Sequence, residues 1–426
     1  EYLRAIANLS QSLADEGVYT LADLHQDLGS RYFCGEGFPE HYVEQLLADP
    51  QSQLSRVPPF PAPLASLAKN SSGFPDLDAC LKMQFSNYYS TYQVGALWSE
   101  LYRNGSDLRQ GFSKFWAAVA ETFKDAPHLL AYELLNEPSG TCLDSRTSFG
   151  CRSGGADQPL RFTNRIEAEK LTPLYREAAA EIRRLGAEQV ILYEPTVWPK
   201  LASSVFPGPA LSDPQQGLAY HIYCAKGDGD SYFAGILCDA AQRLFEDSYY
   251  PFLKAHKGIG GFMTEFGAVG GNIGELHHLN SLLAKSDEHF QSWTYWQLKK
   301  YKDFTTANAA ESLYAEDGSL EVSKLRTLSR SYAPAIAGVP SLMSFDPATR
   351  LFSLDFNATV TAAATELYLN EELHYPQGYK LDVDPKGCMD VEKELNRVYL
   401  RMSQDSPCLG QIVKVRVFQS QSEYLI

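Results

Sequence analysis

The chain has no apolar run long enough to cross a bilayer, no Cys-x-x-Cys pair, and no histidines grouped near its cysteines at zinc-ligand spacing. The first absence argues against a membrane-spanning helix, and the others argue against metal binding. Positive charge is also scarce. Lys and Arg number 37 against 52 Asp and Glu, a formal net charge of −15. That balance argues against nucleic acid or an anionic membrane as an electrostatic partner. There is no internal repeat, no low-complexity tract and no signal peptide. The missing signal says little, because the chain opens on Glu1 rather than Met.

What is present suits a folded enzyme of more than one domain. The 426 residues are 44% hydrophobic and 12% aromatic, enough for a barrel and a smaller partner. Of the eight cysteines, six lie in pairs close along the chain: Cys142 and Cys151, Cys224 and Cys238, Cys388 and Cys408. Local disulfides are the expectation. Sequons at Asn8, Asn70, Asn104 and Asn357 point with them to a secreted, lysosomal or otherwise luminal protein. Glu1 to Leu13 reads as a helix already under way, with apolar residues at Leu3, Ile6, Ala7, Leu9 and Leu13 and no capping residue before them.

Short apolar strands then alternate with amphipathic helices, the pattern of a parallel α/β fold. Strands are expected at Val18–Leu24, Leu129–Leu135, Gln189–Tyr193, Leu218–Ile222, Ile259–Thr264 and Trp293–Gln297. Helices are expected at Leu108–Phe123, Ala168–Leu185, Ala240–Ala255 and Gly274–Lys285. Polar residues gather just after the strands, where a (β/α)8 TIM barrel builds its active site. Six strands are visible where closure needs eight, so the first two are expected to lie upstream, in about 70–100 further residues. Two long insertions, Asp49 to Lys82 and Ser139 to Thr163, follow strand ends and are expected to shape a cleft. After Gly338-Val339-Pro340 come short β segments: Leu351–Phe356, Thr365–Leu369, Tyr379–Val383, Arg397–Met402 and Ile412–Phe418. The expected organisation is a barrel over residues 1–337 and a small C-terminal β-sandwich over 338–426.

Hydrolysis of a glycosidic bond with retention needs two carboxyl groups about 5 Å apart, one as nucleophile and one as acid/base. Glu137, in Asn136-Glu137-Pro138, follows the apolar run Leu129–Leu135, and Glu265 ends Gly260-Gly261-Phe262-Met263-Thr264. With two strands counted as missing, these ends are the fourth and seventh. In that arrangement the chain resembles the large clan of (β/α)8 retaining glycosidases. The resemblance implies Glu137 as acid/base, Glu265 as nucleophile, Asn136 on the sugar 2-hydroxyl and Tyr223 orienting Glu265. Glu194 also ends a strand and reads as a cleft or supporting residue, whereas Glu133 reads as a buried partner of a base or hydroxyl.

Further motifs narrow the likeness. Asp23-Leu24-His25-Gln26-Asp27, Phe33-Cys34-Gly35-Glu36-Gly37, Tyr132 to Pro138, Thr264-Glu265-Phe266-Gly267 and Tyr332 to Gly338 together resemble endoglycoceramidases and their relatives in glycoside hydrolase family 5. The resemblance implies that Asp23, His25 and Asp27 bind the first sugar, that His221 and Tyr223 line the floor, and that Trp296 stacks on the sugar face. It also implies a glycosphingolipid substrate, cut between glycan and ceramide, with transient contact to membrane or micelle lipid and a monomeric enzyme. Tyr88, Tyr89, Tyr92, Leu97 and Trp98 are candidates for an apolar wall. No cofactor or metal is implied. Two alternatives stay open: an exo-acting glucosyl- or galactosylceramidase or steryl-glucosidase relative, and a glycolipid-binding homologue without catalysis.

Overall fold

The computed structural model describes residues 1–140, 167–196, 213–223, 249–301 and 311–420, except 84, 257, 360, 362, 403–405 and 407, and in addition 242, 243, 246 and 304. Two compact units are present. One comprises Glu1–Ile222, Arg243–Phe266 and Lys300–Ala310, the other Tyr223–Gln242, Gly267–Lys299 and Glu311–Ile426.

In the first unit, β1 (Thr20–Asp23) leads into a loop that holds the short parallel pair β2 (Leu28–Gly29) and β3 (Glu36–Gly37). The main sheet continues with β4 (Leu129–Glu133), β5 (Val190–Tyr193), β6 (Gln216–Ile222) and β7 (Gly260–Phe266). These strands run parallel in the order β1-β4-β5-β6-β7. Every residue of β6 is buried, as a parallel strand covered on both faces should be. All five strands were foreseen to within a few residues.

Side chains on a strand alternate between its faces, so positions i and i+2 point the same way. Ala131, Leu192 and Ala219 form an apolar cluster with Leu21, Val190 and Phe262 packed against it, so that all five strands contribute. Two residues further along the strands stand Asp23, Glu133, Glu194, His221 and Thr264. The face that is apolar at mid-strand is therefore polar at the carboxyl end. Flanking helices fix those ends. Ser106 caps the helix Asp107–Phe123 by accepting the Arg109 N–H. From that helix Trp116 Nε1 donates to the Leu134 carbonyl at 3.0 Å. Tyr175, on the helix Thr172–Arg184, donates its hydroxyl to the Glu194 carbonyl at 2.9 Å. Helix also covers Tyr2–Asp15, as the apolar spacing predicts. Of the helix expected at Ala240–Ala255, the described residues are helical.

In the second unit, the helix Ile273–Glu288 opens with a capping box between Asn272 and Glu275. The strand β8 is only Ser292–Trp293, shorter than the expected Trp293–Gln297, and Trp296 adds an isolated bridge to Gly267. The C-terminal strands are β9 (Tyr332–Ala335), β10 (Gly338–Asp346), β11 (Leu351–Ala358), β12 (Thr365–Tyr368), β13 (Tyr379–Asp384), β14 (Asp390–Glu394), β15 (Arg397–Arg401) and β16 (Ile412–Gln419). They form antiparallel sheets β10-β11-β16-β13 and β14-β15-β12-β9. Phe352, Leu354, Leu367, Val398, Val413, Val415 and Val417 meet in a common core, which makes this a β-sandwich.

Three of these strands were not foreseen, each for a local reason. β9 contains Pro334 and sits on a sheet edge, where a missing N–H is tolerated. β10 absorbs Pro340 at a register shift, so the stretch that reads as a break is strand. β14 is highly charged and fully exposed, a protected edge rather than a core strand. The disulfide Cys388–Cys408 forms as its spacing suggests, whereas Cys34–Cys80 joins residues 46 apart and was not foreseen. Cys142, Cys151, Cys224 and Cys238, and nearly all of the second insertion, lie outside the described residues.

A buried ion pair ties the sandwich to the helix Ile273–Glu288. The Arg330 guanidinium donates to Asp287 and to the Phe345 carbonyl, and both charged side chains are almost fully buried. Burial pushes the Asp287 carboxyl up, and Arg330 opposes the rise. Replacing Arg330 with Met should leave a buried, unpaired carboxylate and cost about 3–5 kcal/mol. Urea unfolding measures this loss, and adding Asp287→Asn should recover part of it.

Candidate active site

Asp23 ends β1, and the chain then runs through Leu24-His25-Gln26-Asp27 across the top of the sheet. The Cys34-Gly35-Glu36-Gly37 stretch lies against it. A Cβ at Gly35 would stand 1.9 Å from the Asp27 carbonyl oxygen, and one at Gly37 would stand 2.3 Å from Gln26 Cβ. Gly37 also has φ +128°, so its backbone as well as its surroundings require glycine. The disulfide Cys34–Cys80 fastens this layer. From the 3-10 helix Phe85–Ser90, the Tyr89 hydroxyl donates to Asp27 Oδ1 at 3.3 Å.

His25 sits among acids. Its Nδ1 is 3.0 Å from Asp23 Oδ2 and 3.8 Å from Glu265 Oε1, and its Nε2 is 3.4 Å from Asp27 Oδ2. Burial alone would lower its pKa, but hydrogen bonds to Asp23 and Asp27 outweigh that and push it up to about 12. The imidazole is a cation here. Burial raises the Asp27 carboxyl, and His25 opposes the rise.

A second imidazole stands where β4, β5, β6 and β7 end. His221 Nδ1 lies 2.9 Å from Glu137 Oε1, 3.4 Å from Glu265 Oε2 and 3.5 Å from Glu194 Oε1. Burial disfavours its charge, yet Glu194, Glu265 and Glu137 outweigh burial and raise its pKa well above the ordinary value. Glu265 reaches this point through a bulge. Tyr220 on β6 is opposite Met263 on β7, but His221 is opposite Glu265, so Thr264 is the extra residue. Consecutive side chains therefore both reach the site, which regular alternation forbids. Thr264 Oγ1 donates to Glu133 Oε1 at 2.7 Å, giving the buried Glu133 its expected hydroxyl partner. Burial pushes Glu265 up to about 7, with His221 and His25 opposing and Glu137 reinforcing the rise.

Seven of the nine sequence-derived site residues thus belong to the first unit, and the contacts above and below place them around His25 and His221: Asp23, His25, Asp27, Asn136, Glu137, His221 and Glu265. Asn136 is buried, and its Nδ2 donates to the Gln26 carbonyl at 3.0 Å. Tyr223, directly after β6, and Trp296 are half-buried and belong to the second unit. Tyr88, Tyr89, Leu97 and Trp98 prove to be buried core rather than an apolar wall, with Trp98 edge-on to Phe38 and tilted against Tyr102. Gln26 lies inside the Asp23–Asp27 motif without having been singled out, whereas Glu194, which reads from its strand end as a cleft or supporting residue, contacts Glu137 and His221. The alternation of apolar and polar residues at i and i+2 was the available signal for Glu194.

Among the described residues, three donor groups are close enough to surround a cation: His25, Asp27 and Glu36; Glu133, Glu194 and His221; Glu137, His221 and Glu265. In the last, the donor atoms lie within 4.8 Å of one another. Two carboxylates that close, at the carboxyl ends of parallel strands, have the arrangement of a retaining glycoside hydrolase.

The chain belongs to glycoside hydrolase family 5. The family's cellulase (glycosyl hydrolase family 5) model matches residues 1–302, and its family 5 C-terminal domain model matches residues 330–417. An endoglycoceramidase of Cyanea nozakii is 28% identical over 411 residues, covering 95% of this chain and 75% of that protein. One from Hydra vulgaris is 26% identical over 421 residues, covering 98% and 74%. Among solved structures, endo-glycoceramidase II from Rhodococcus sp. in its ganglioside GM3 complex is similar with a TM-score of 0.72 at 18% identity, over 99% of this chain and 84% of that one. Sterylglucosidase 1 of Cryptococcus neoformans follows at 0.65 and 12%, over 98% and 83%. These likenesses show a shared fold.

Burial, then the Asp23 carboxylate, push Glu133 up to about 8, while His221 and the Thr264 hydroxyl oppose the rise. From the ordinary 4.5 to about 8 the folded chain holds a proton that the unfolded chain has released. Stability should therefore fall as pH rises through this window. Glu133→Gln is neutral throughout, so its unfolding midpoint should fall less between about pH 5 and pH 8 than that of the wild type. Equal slopes in denaturant titrations would show Glu133 ionised across the range.

Proposed function

We propose that this enzyme cleaves the bond between glycan and ceramide in glycosphingolipids with retention, Glu137 serving as acid/base and Glu265 as nucleophile. The carrying observation is the placement of the two carboxylates within 4.8 Å of one another, both facing His221 Nδ1. The substrate class rests on similarity to endoglycoceramidases over nearly the whole chain. Glu265 attacks the anomeric carbon while Glu137 gives its proton to the glycosidic oxygen, and ceramide leaves. Glu137 then takes a proton from water, which attacks the same carbon and frees the glycan from Glu265.

Both imidazoles, whose charged forms the surrounding carboxylates favour, oppose the effect of burial on the Glu265 carboxyl. Among the described residues, Asp23 Oδ1 and Gln26 Oε1 are buried without a hydrogen-bond partner, and the first is suited to a sugar hydroxyl. Asn136 keeps one amide hydrogen for the 2-hydroxyl, the other being given to Gln26. The disulfides Cys34–Cys80 and Cys388–Cys408 support a secreted or luminal site of action.

Ganglioside and glucosylceramide micelles, offered side by side, test the substrate. Intact oligosaccharide plus ceramide from the ganglioside is expected, whereas glucose from glucosylceramide alone would establish an exo-acting glucosylceramidase. A 2-deoxy-2-fluoro glycoside should label Glu265, and labelling at Glu194 would overturn the roles. Glu137→Gln should lower kcat/KM by about 10²–10⁴ on ganglioside.

A further inference from the structure

Glu137 has φ +40°, a left-handed conformation that strains a residue carrying a Cβ. Such a turn persists only when its surroundings hold it. Two buried side chains grip it. Gln26 Nε2 donates to the Asn136 carbonyl at 2.7 Å and to the Glu137 carbonyl at 3.2 Å. Glu194 Oε2 accepts the Glu137 backbone N–H at 2.6 Å. The other oxygen of Glu194 faces His221 Nδ1, the atom that meets the Glu137 carboxylate. One buried side chain thus touches the acid/base candidate directly at its backbone and, through an imidazole, at its carboxylate.

We propose that Glu194 is a positioning residue for the acid/base: by accepting the Glu137 N–H it fixes the strained turn from which that carboxyl reaches the glycosidic oxygen. This rests on Glu137 being the acid/base. A third carboxylate buried beside two others is costly unless its contacts compensate. The Tyr175 hydroxyl, given to the Glu194 carbonyl, holds the residue in place from the helix behind it.

Leaving groups separate positioning from plain stability. A phenyl lactoside needs a proton at its leaving oxygen, whereas a 2,4-dinitrophenyl lactoside departs without one. Glu194→Met keeps the length and bulk but removes the acceptor, and Glu194→Gln keeps an acceptor oxygen. On the phenyl lactoside Glu194→Met should lose about 100-fold in kcat with KM within about threefold. On the dinitrophenyl lactoside it should stay within about tenfold of wild type in the glycosylation step. Glu194→Gln should return to within about tenfold on both. Circular dichroism confirms that each variant is folded, and Glu194→Ala replaces the Met variant if that fails.

Equal loss on the two lactosides, or a Gln variant as impaired as the Met variant, would overturn the positioning role. Glu137→Ala, measured alongside, keeps the two ideas apart. Should it lose equally on both lactosides in the glycosylation step, the acid/base assignment itself fails and positioning falls with it. Should it lose selectively on the phenyl lactoside while Glu194→Met does not, positioning alone fails.

Discussion

A single imidazole nitrogen, Nδ1 of His221, faces Glu137, Glu194 and Glu265 at 2.9–3.5 Å. Like charges about 4 Å apart repel by about 4 kcal/mol near a protein surface, and by more in the interior. Carboxylates this close need a proton or a cation among them; His221 faces all three, and His25 repeats the arrangement with Asp23, Asp27 and Glu265. Much else in the site follows from this need. The bulge on β7 delivers Glu265 to the imidazole, and the left-handed turn at Glu137 delivers the opposing carboxylate.

The sheet makes that concentration of charge affordable by confining it to one layer. Apolar Leu21, Ala131, Leu192, Ala219 and Phe262 lie one pleat below Asp23, Glu133, Glu194, His221 and Thr264. Core packing and ionic chemistry share the same strands with about 7 Å between them. The ionic layer is then held from outside by Trp116 and Tyr175, whose polar tips reach backbone carbonyls at the strand ends.

Much of this was legible in the sequence. Short apolar runs located the five strands of the first unit, and the placement of Asn136-Glu137-Pro138 and Glu265 after such runs singled out the acid pair. The two glycines of Cys34–Gly37 were legible as a motif, but their cause, close approach to Gln26 and Asp27, needed coordinates. Other features are tertiary by nature. Periodicity cannot reveal a bulge that lets Thr264 and Glu265 point the same way. Burial of Tyr88, Leu97 and Trp98 likewise depends on what packs over them, since an aromatic stripe looks the same in a core and in a cleft. β10 and β14 were missed because Pro340 and a run of charges read as interruption, although both suit sheet edges and irregular registers.

The Pro-rich insertion after β3 lies within the loop that Cys34–Cys80 closes. Inside that loop Phe60 packs between Phe33 and Tyr88, and the Tyr92 N–H reaches the Ala62 carbonyl. The middle of the segment and its far end at Cys80 are thus moored to the residues around the loop that carries Asp27. Once the ends of a loop are pinned, doubling its length adds only about 0.6 kcal/mol of closure entropy. Evolution can lengthen, shorten or redecorate the stretches between these moorings without disturbing the strand ends that carry the acids.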